Sequence, residues 1–276
     1  MLKKIAVGMA GLLLLPALTF AAEDEQVWNS TLKGQYFSGK NIVENTDIIS
    51  LETPYRAEDP ALVPLTISSK IPQTAERYIK KILVLVDNNP FPFVAEFDLT
   101  PESGKADLSM RVRINTYSFV RAIAEMNTGE LVMAKQFVKA SGGCSAPIGA
   151  DMDAAMQRLG KMKFKLDPTF KAGEPSLAQL LISHPNVTGM QMDQVTRFIK
   201  KSHFVEKMQV TFEGRPVLTA KTDIAISSDP NFRFYFVPKS SGVLKAEIMD
   251  TACESPTSRK LCTPGKTYSQ TVDIKL

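Results

Sequence analysis

Hydrophobic and polar residues alternate along most of this chain in short runs, and the runs end at turn-forming residues. Ile82-Leu83-Val84-Leu85-Val86 is a continuous apolar run of strand length, stopped by Asp87-Asn88-Asn89-Pro90. Phe93 to Leu99 has a period of two, which puts Phe93, Ala95, Phe97 and Leu99 on one face. Arg111-Val112-Arg113-Ile114 alternates in the same way, and Asn127-Thr128-Gly129-Glu130 reads as a hairpin turn into Leu131-Val132-Met133-Ala134. Further strands are expected over 178–183, 208–212 with a turn at Glu213-Gly214, 231–236, 242–249 and 271–276. Phe232, Phe234 and Phe236 fall on one face. A helical pattern occupies 151–159, with Asp151 and Asp153 at its acidic start and Gly160 as its stop. Short strands on both sides of one short helix predict an all-β protein made of two sandwiches and a linker.

The N-terminus changes the picture. Lys3-Lys4 precede an apolar run from Ile5 to Phe20 and a small-residue boundary at Ala21-Ala22, the layout of a secretory signal peptide over 1–21. No cysteine lies at that boundary, and no later apolar stretch approaches ~18 residues. The mature chain is therefore expected to be periplasmic, with no membrane span. Removing Lys3 and Lys4 lowers the formal charge from +4 to about +2. No basic stripe remains, which argues against a nucleic-acid partner. Roughly 255 mature residues suit two domains of ~100 to 130. The expected boundaries are 22–143 for the first sandwich, 144–164 for a cysteine arm and linker helix, and 165–276 for the second sandwich.

The candidate chemistry lies in three cysteines. Cys253 and Cys262 flank a Ser/Pro/Thr-rich stretch that a structural disulfide would close, the other readings being a redox pair or a transient partner for Cys144. Cys144, in Ser141-Gly142-Gly143-Cys144-Ser145-Ala146-Pro147, is left over. An odd cysteine in an oxidising compartment is an intermolecular bridge or a reactive group. Gly142, Gly143 and Ser145 read as a flexible arm around it, and Lys139 as a nearby cation. A carrier thiol has to be exposed and able to ionise, because the thiolate makes and breaks S–S bonds. The bland alternative is a buried or incidental thiol.

These residues carry a family resemblance. Val63-Pro64-Leu65-Thr66-Ile67, Val86-Asp87-Asn88-Asn89-Pro90-Phe91-Pro92 and Gly142-Gly143-Cys144 resemble SoxY. Gly173-Glu174, Leu181-Ile182-Ser183-His184-Pro185 with Thr188-Gly189, and the stretch from Ser241-Gly242 to Asp250 resemble SoxZ. The chain is thus similar to the two subunits of the sulfur carrier of bacterial thiosulfate oxidation, fused as in SoxYZ-like carriers associated with quinoprotein dehydrogenases. The resemblance implies two immunoglobulin-like β-sandwiches and no active site or cofactor of its own. It also implies a sulfur-containing small molecule held covalently on Cys144, with Sox-type cytochromes or a quinoprotein dehydrogenase system as redox partners. Two features depart from the family pattern. Ser145-Ala146-Pro147 continues the chain where SoxY ends in a free Gly-Gly-Cys-Gly-Gly tail, and Asn186 and Gln191 replace the usual Met and Arg of the His-Pro segment.

Competing classes have weaker support in the residues. A copper carrier is prompted by Met190-Gln191-Met192 near His184 and His203, with Met152 and Met156 on the linker helix, since thioethers favour Cu(I). His184 falls within the family segment, where a structural role is expected, and the methionines equally fill core gaps. No metal site is therefore assigned. Two histidines and scattered carboxylates give no catalytic spacing, and Asp87 reads as a side-chain cap of its turn. A structural partner of a periplasmic dehydrogenase, with Cys144 irrelevant, is the remaining class.

Overall fold

The period-two pattern becomes fifteen strands in the computed structural model, which describes residues 25–147, 152–167, 169–254 and 261–276. The expected signal peptide, Asp151 at the helix start and most of the Ser/Pro/Thr-rich stretch lie outside the described residues. A π-helical turn at Trp28–Leu32 and helix α1 (Lys33–Phe37) come first. The first half then contains β1 (Ile42–Glu44), β2 (Ile49–Glu52), β3 (Val63–Ser69), β4 (Ile79–Val86), β5 (Phe93–Leu99), β6 (Leu108–Val112), β7 (Ser118–Met126) and β8 (Leu131–Val138). Helix α2 (Met152–Gln157) leads to the second half, made of β9 (Met162–Leu166), β10 (Ser176–Ile182), β11 (Val205–Phe212), β12 (Arg215–Thr222), β13 (Asn231–Phe236), β14 (Gly242–Cys253) and β15 (Cys262–Ile274). Gly160 closes the linker turn with φ +75°, as its expected role at the helix end requires.

The all-β sandwich is as expected, but the halves share more than a linker. One nine-stranded sheet runs β1-β8-β7-β4-β5-β12-β11-β14-β15, and a six-stranded sheet runs β2-β3-β6-β13-β10-β9. Both cross the boundary between halves. In the first sheet β12 pairs antiparallel with β5, from Leu218 opposite Leu99 to Thr222 opposite Ala95. In the second, β13 meets β6 at Arg233 and Ser109. One apolar core fills the space between the sheets, from Ile49, Leu65 and Phe97 through Phe212, Phe232, Phe234 and Phe236. Pairing edge to edge removes two strand edges that would otherwise be left open.

Two local readings change. A bulge sets Leu85 opposite Phe93 after Val84 pairs with Ala95, so Phe93 leaves the face shared by Ala95, Phe97 and Leu99. Phe93 packs instead on the outer layer with Trp28, Leu32, Leu85 and Ile123, where the N-terminal helical segment covers the sheet. Val94 takes the inward position. Asp87 does not cap its turn. Its carboxylate is buried and receives Arg121 Nε at 2.9 Å and Nη2 at 2.7 Å, while the Trp28 ring lies 4.5 Å from the guanidinium. Two full charges this far from water persist only as a paired, hydrogen-bonded unit.

Candidate functional site

The Asp-Asn-Asn-Pro turn and the Gly-Gly-Cys segment, 55 residues apart in sequence between Asn89 and Cys144, form one hydrogen-bonded unit. Asn89 Nδ2 donates to the Arg113 carbonyl (2.9 Å), and the Asn115 N–H donates to Asn89 Oδ1 (2.8 Å). The segment 113–115 so held then receives the cysteine turn. Ile114 and Asn115 carbonyls accept the N–H groups of Gly143 (3.1 Å) and Gly142 (2.8 Å), and Asn115 Oδ1 accepts the Cys144 N–H (3.3 Å).

The two glycines are required by this geometry. Gly142 has φ +81°, a left-handed conformation that L side chains rarely adopt. A Cβ on Gly143 would lie 2.1 Å from the Pro60 carbonyl oxygen, closer than any real contact. The expectation of a free, flexible arm at Gly142, Gly143 and Ser145 is therefore corrected: the segment is a docked turn, with Ser145 N–H donating back to the Gly142 carbonyl (3.2 Å).

The second half closes over the turn. Thr188 Oγ1 donates to the Cys144 carbonyl (2.7 Å), and Gln191 Nε2 donates to the Ala146 carbonyl (3.1 Å) while its Oε1 accepts the Thr188 N–H (3.0 Å). Gln191, one of the departures from the family pattern, thus holds the residue two positions after Cys144.

Cys144 is the free cysteine, and it is only 1% exposed at the seam between halves. Burial pushes its thiol up to about 11; the Arg113 guanidinium pulls the other way and Asp223 reinforces the rise. The exposed thiol that the sequence suggested is therefore a buried one in this conformation, because both halves contribute backbone and side-chain partners to it. Arg113 is the cation that acts on it. Lys139 instead lies over the Tyr55 ring at 4.8 Å. Alternation at 111–114 would have turned Arg113 outward, but β6 ends at Val112 and Arg113 lies 2% exposed, its N–H donating to the Ala225 carbonyl (2.6 Å) across the seam.

Cys253 and Cys262 are disulfide-bonded and pair across β14 and β15. The bridge packs with Phe204, Ile224, Phe91 and Met190. Met190 is thereby occupied in an apolar cluster, and Met192 is exposed. His184 and His203 do come together, with ring centroids 4.7 Å apart, but their companion is Asp250, which sequence spacing did not single out. Asp250 continues the buried face Leu244-Ala246-Ile248 of β14, so its carboxylate has to find donors inside. Oδ2 lies 3.0 Å from His203 Nε2 and 3.6 Å from His184 Nε2, and Oδ1 accepts the Lys266 N–H (2.6 Å). His184 Nδ1 accepts the Asn186 N–H (3.1 Å), so the neutral ring carries its proton on Nε2, which is buried without a hydrogen-bond partner. The ligand atoms of His184, His203 and Asp250 all lie within 4.8 Å of one another. His203 is hydrogen-bonded to the Asp250 carboxylate, and the His184 ring lies edge-on against His203.

The comparisons fit this arrangement. Residues 33–144 match the family described as sulfur oxidation protein SoxY, a match that ends on Cys144, and residues 164–260 match sulphur oxidation protein SoxZ. No curated protein matches the chain in sequence. Among solved structures, the sulfur carrier protein SoxY from Chlorobium limicola f thiosulfatophilum is 26% identical over 43% of this chain and 99% of its own, with a TM-score of 0.36. A superoxide reductase (neelaredoxin) from Ignicoccus hospitalis is 18% identical over 33% of this chain and 79% of its own, with a TM-score of 0.31. Overlaps this partial carry no argument about function. With SoxY and SoxZ domains in tandem, the chain belongs to the SoxYZ family of sulfur-oxidation carrier proteins, both parts fused in one polypeptide.

Proposed function

We propose that this protein is a periplasmic carrier that holds a sulfur compound of the thiosulfate or sulfane type on Cys144 Sγ and presents it to separate redox enzymes. The observation that supports this most directly is the placement of the free thiol on a turn that both halves and the Asp-Asn-Asn-Pro motif are arranged to hold. Joining a thiol to the outer sulfur of thiosulfate forms one S–S bond and releases one proton and two electrons. A partner cytochrome or quinoprotein dehydrogenase system accepts the electrons, and the carrier itself turns nothing over and needs no cofactor.

Burial gives this carrier two states. Docked, the thiol is held up at about 11 and is almost wholly protonated at neutral pH. Swung into water, it returns towards the ordinary 9.0, which raises the thiolate fraction by about two orders of magnitude. Undocking breaks the bonds to Thr188, Gln191 and Asn115, so attack and delivery belong to the open state.

The test is the intact mass of protein from its native cells, before and after a thiol reductant, with peptide mapping. A reductant-sensitive sulfur adduct on Cys144 is the expected result. Protein that is always unmodified at Cys144, together with a Cys144→Ser strain that keeps normal sulfur metabolism, would leave a structural role for the chain.

A further inference from the structure

Among the described residues, the large apolar side chains that stand furthest into water are Val195, 90% exposed, and Phe198, 77% exposed. Met192 and Ile199, each 41% exposed, accompany them. All four belong to one hairpin, whose arms meet at the Val187–His203 and Met192–Ile199 bridges. Its base is the clasp on the cysteine turn: Thr188 and Gln191 hold Cys144 and Ala146, and are themselves held by Ser202 Oγ donating to the Thr188 carbonyl (2.9 Å) and the Lys200 N–H to the Gln191 carbonyl (2.9 Å). An apolar cluster this exposed marks a surface that meets something other than water.

The backbone and charges of the tip say what it meets. Asp193 Oδ1 accepts the N–H groups of Val195 (3.1 Å) and Thr196 (2.8 Å), and the Asp193 carbonyl accepts that of Arg197 (2.9 Å). The Phe198 carbonyl accepts the Asp193 N–H (2.9 Å). Water would satisfy these donors unaided, whereas a lipid interface requires them closed on the chain itself. Asp193 is neutralised by its ion pair with Lys200, which leaves Arg197 and Lys201 as exposed cations beside Phe198 and Ile199. Apolar side chains flanked by cations complement a surface that is apolar within and anionic at its headgroups. On a second copy of the chain the same cations would meet their like.

We infer that the tip of this hairpin, Val195 and Phe198 foremost, docks into the headgroup region of an anionic lipid bilayer and holds the protein on a membrane surface without spanning it. Because the base of the same hairpin clasps the Cys144 turn, a docked molecule keeps that turn within one hairpin's length of the bilayer. The inference goes beyond the carrier reading and does not depend on what Cys144 holds.

Sedimentation of protein from its native cells with vesicles tests this, using phosphatidylcholine alone and phosphatidylcholine mixed with phosphatidylglycerol. The unaltered protein should bind the mixed vesicles and bind phosphatidylcholine alone more weakly. Val195→Ser with Phe198→Ser should lower binding to the mixed vesicles at least about fivefold, through the apolar area withdrawn from the interface. Arg197→Gln with Lys201→Gln should remove the preference for the anionic lipid. A second measurement does not rely on lost binding. Phe198→Trp puts an indole at the tip against the single native tryptophan, the buried Trp28, and its emission should shift to the blue when mixed vesicles are added. No binding to the mixed vesicles, equal binding to both compositions, undiminished binding by the serine variant or an unshifted indole would each overturn the inference. A concentration-dependent mass in the absence of lipid that the serine variant abolishes would also overturn it, and would assign the tip to a second copy.

Discussion

Thr188 Oγ1 donates to the Cys144 carbonyl at 2.7 Å and so fastens the thiol-bearing turn of the SoxY half to the SoxZ half. Both residues are buried, and 44 positions of sequence separate them. If docking protects the thiol, Thr188→Val should loosen it, because the shape is kept while the donor is lost. A hydrogen bond of ordinary net worth, about 1 kcal/mol, corresponds to a rise of roughly five-fold in the alkylation rate of Cys144. An unchanged rate would mean that Thr188 does not restrain the turn.

The buried thiol also makes a pH signature. Its folded value, about 11, lies above the ordinary 9.0 because burial disfavours the thiolate. The unfolded chain therefore loses this proton at lower pH than the folded one. The stabilising effect is complete below about pH 9 and is lost as pH rises towards 11, a loss of roughly 2–3 kcal/mol. Urea unfolding across this range should show the alkaline decline in the unaltered protein and a shallower one in Cys144→Ala. Parallel curves would show the thiol to be solvated in the folded state.

Asp87 and Arg121 form a buried ion pair at 2.7 Å beneath the Trp28 ring. Removing one partner strands the other charge, so Arg121→Met should cost about 3–5 kcal/mol. Replacing both, as in Asp87→Leu with Arg121→Met, should recover much of that loss. A double-mutant cycle in urea measures it, and a double variant as unstable as the sum of the single ones would deny the coupling.

The Cys253–Cys262 bridge ties the end of β14 to the start of β15, nine positions apart in sequence. Chain entropy sets the expected loss on its removal at ~2–3 kcal/mol. Thermal unfolding of Cys253→Ser with Cys262→Ser checks it, and an unchanged midpoint would make the bridge incidental to stability.

Much of the scaffold is legible because strand signals are local. The phenylalanines of 231–236, the hairpin at Asn127-Thr128-Gly129-Glu130 and the Gly160 stop all depend on neighbouring residues, and each takes its expected place. Phe93 and Arg113 do not. A bulge turns Phe93 to the opposite face, and the end of β6 carries Arg113 into the seam, both consequences of how distant strands meet. Strand β12, which joins the two halves through β5, escaped notice because Arg215-Pro216 and Lys221 dilute its pattern.

Sequence alone determined the strand-rich class, the tandem SoxY and SoxZ likeness, the pairing of two cysteines and the singling out of the third. Those are properties of periodicity, motif and parity, each visible along the chain. Tertiary structure alone decided that both sheets run through the two halves, that Asp250 gathers His184 and His203, and that Cys144 lies docked beside the buried Arg113. Burial and charge compensation depend on which distant segments meet, and no local pattern encodes that.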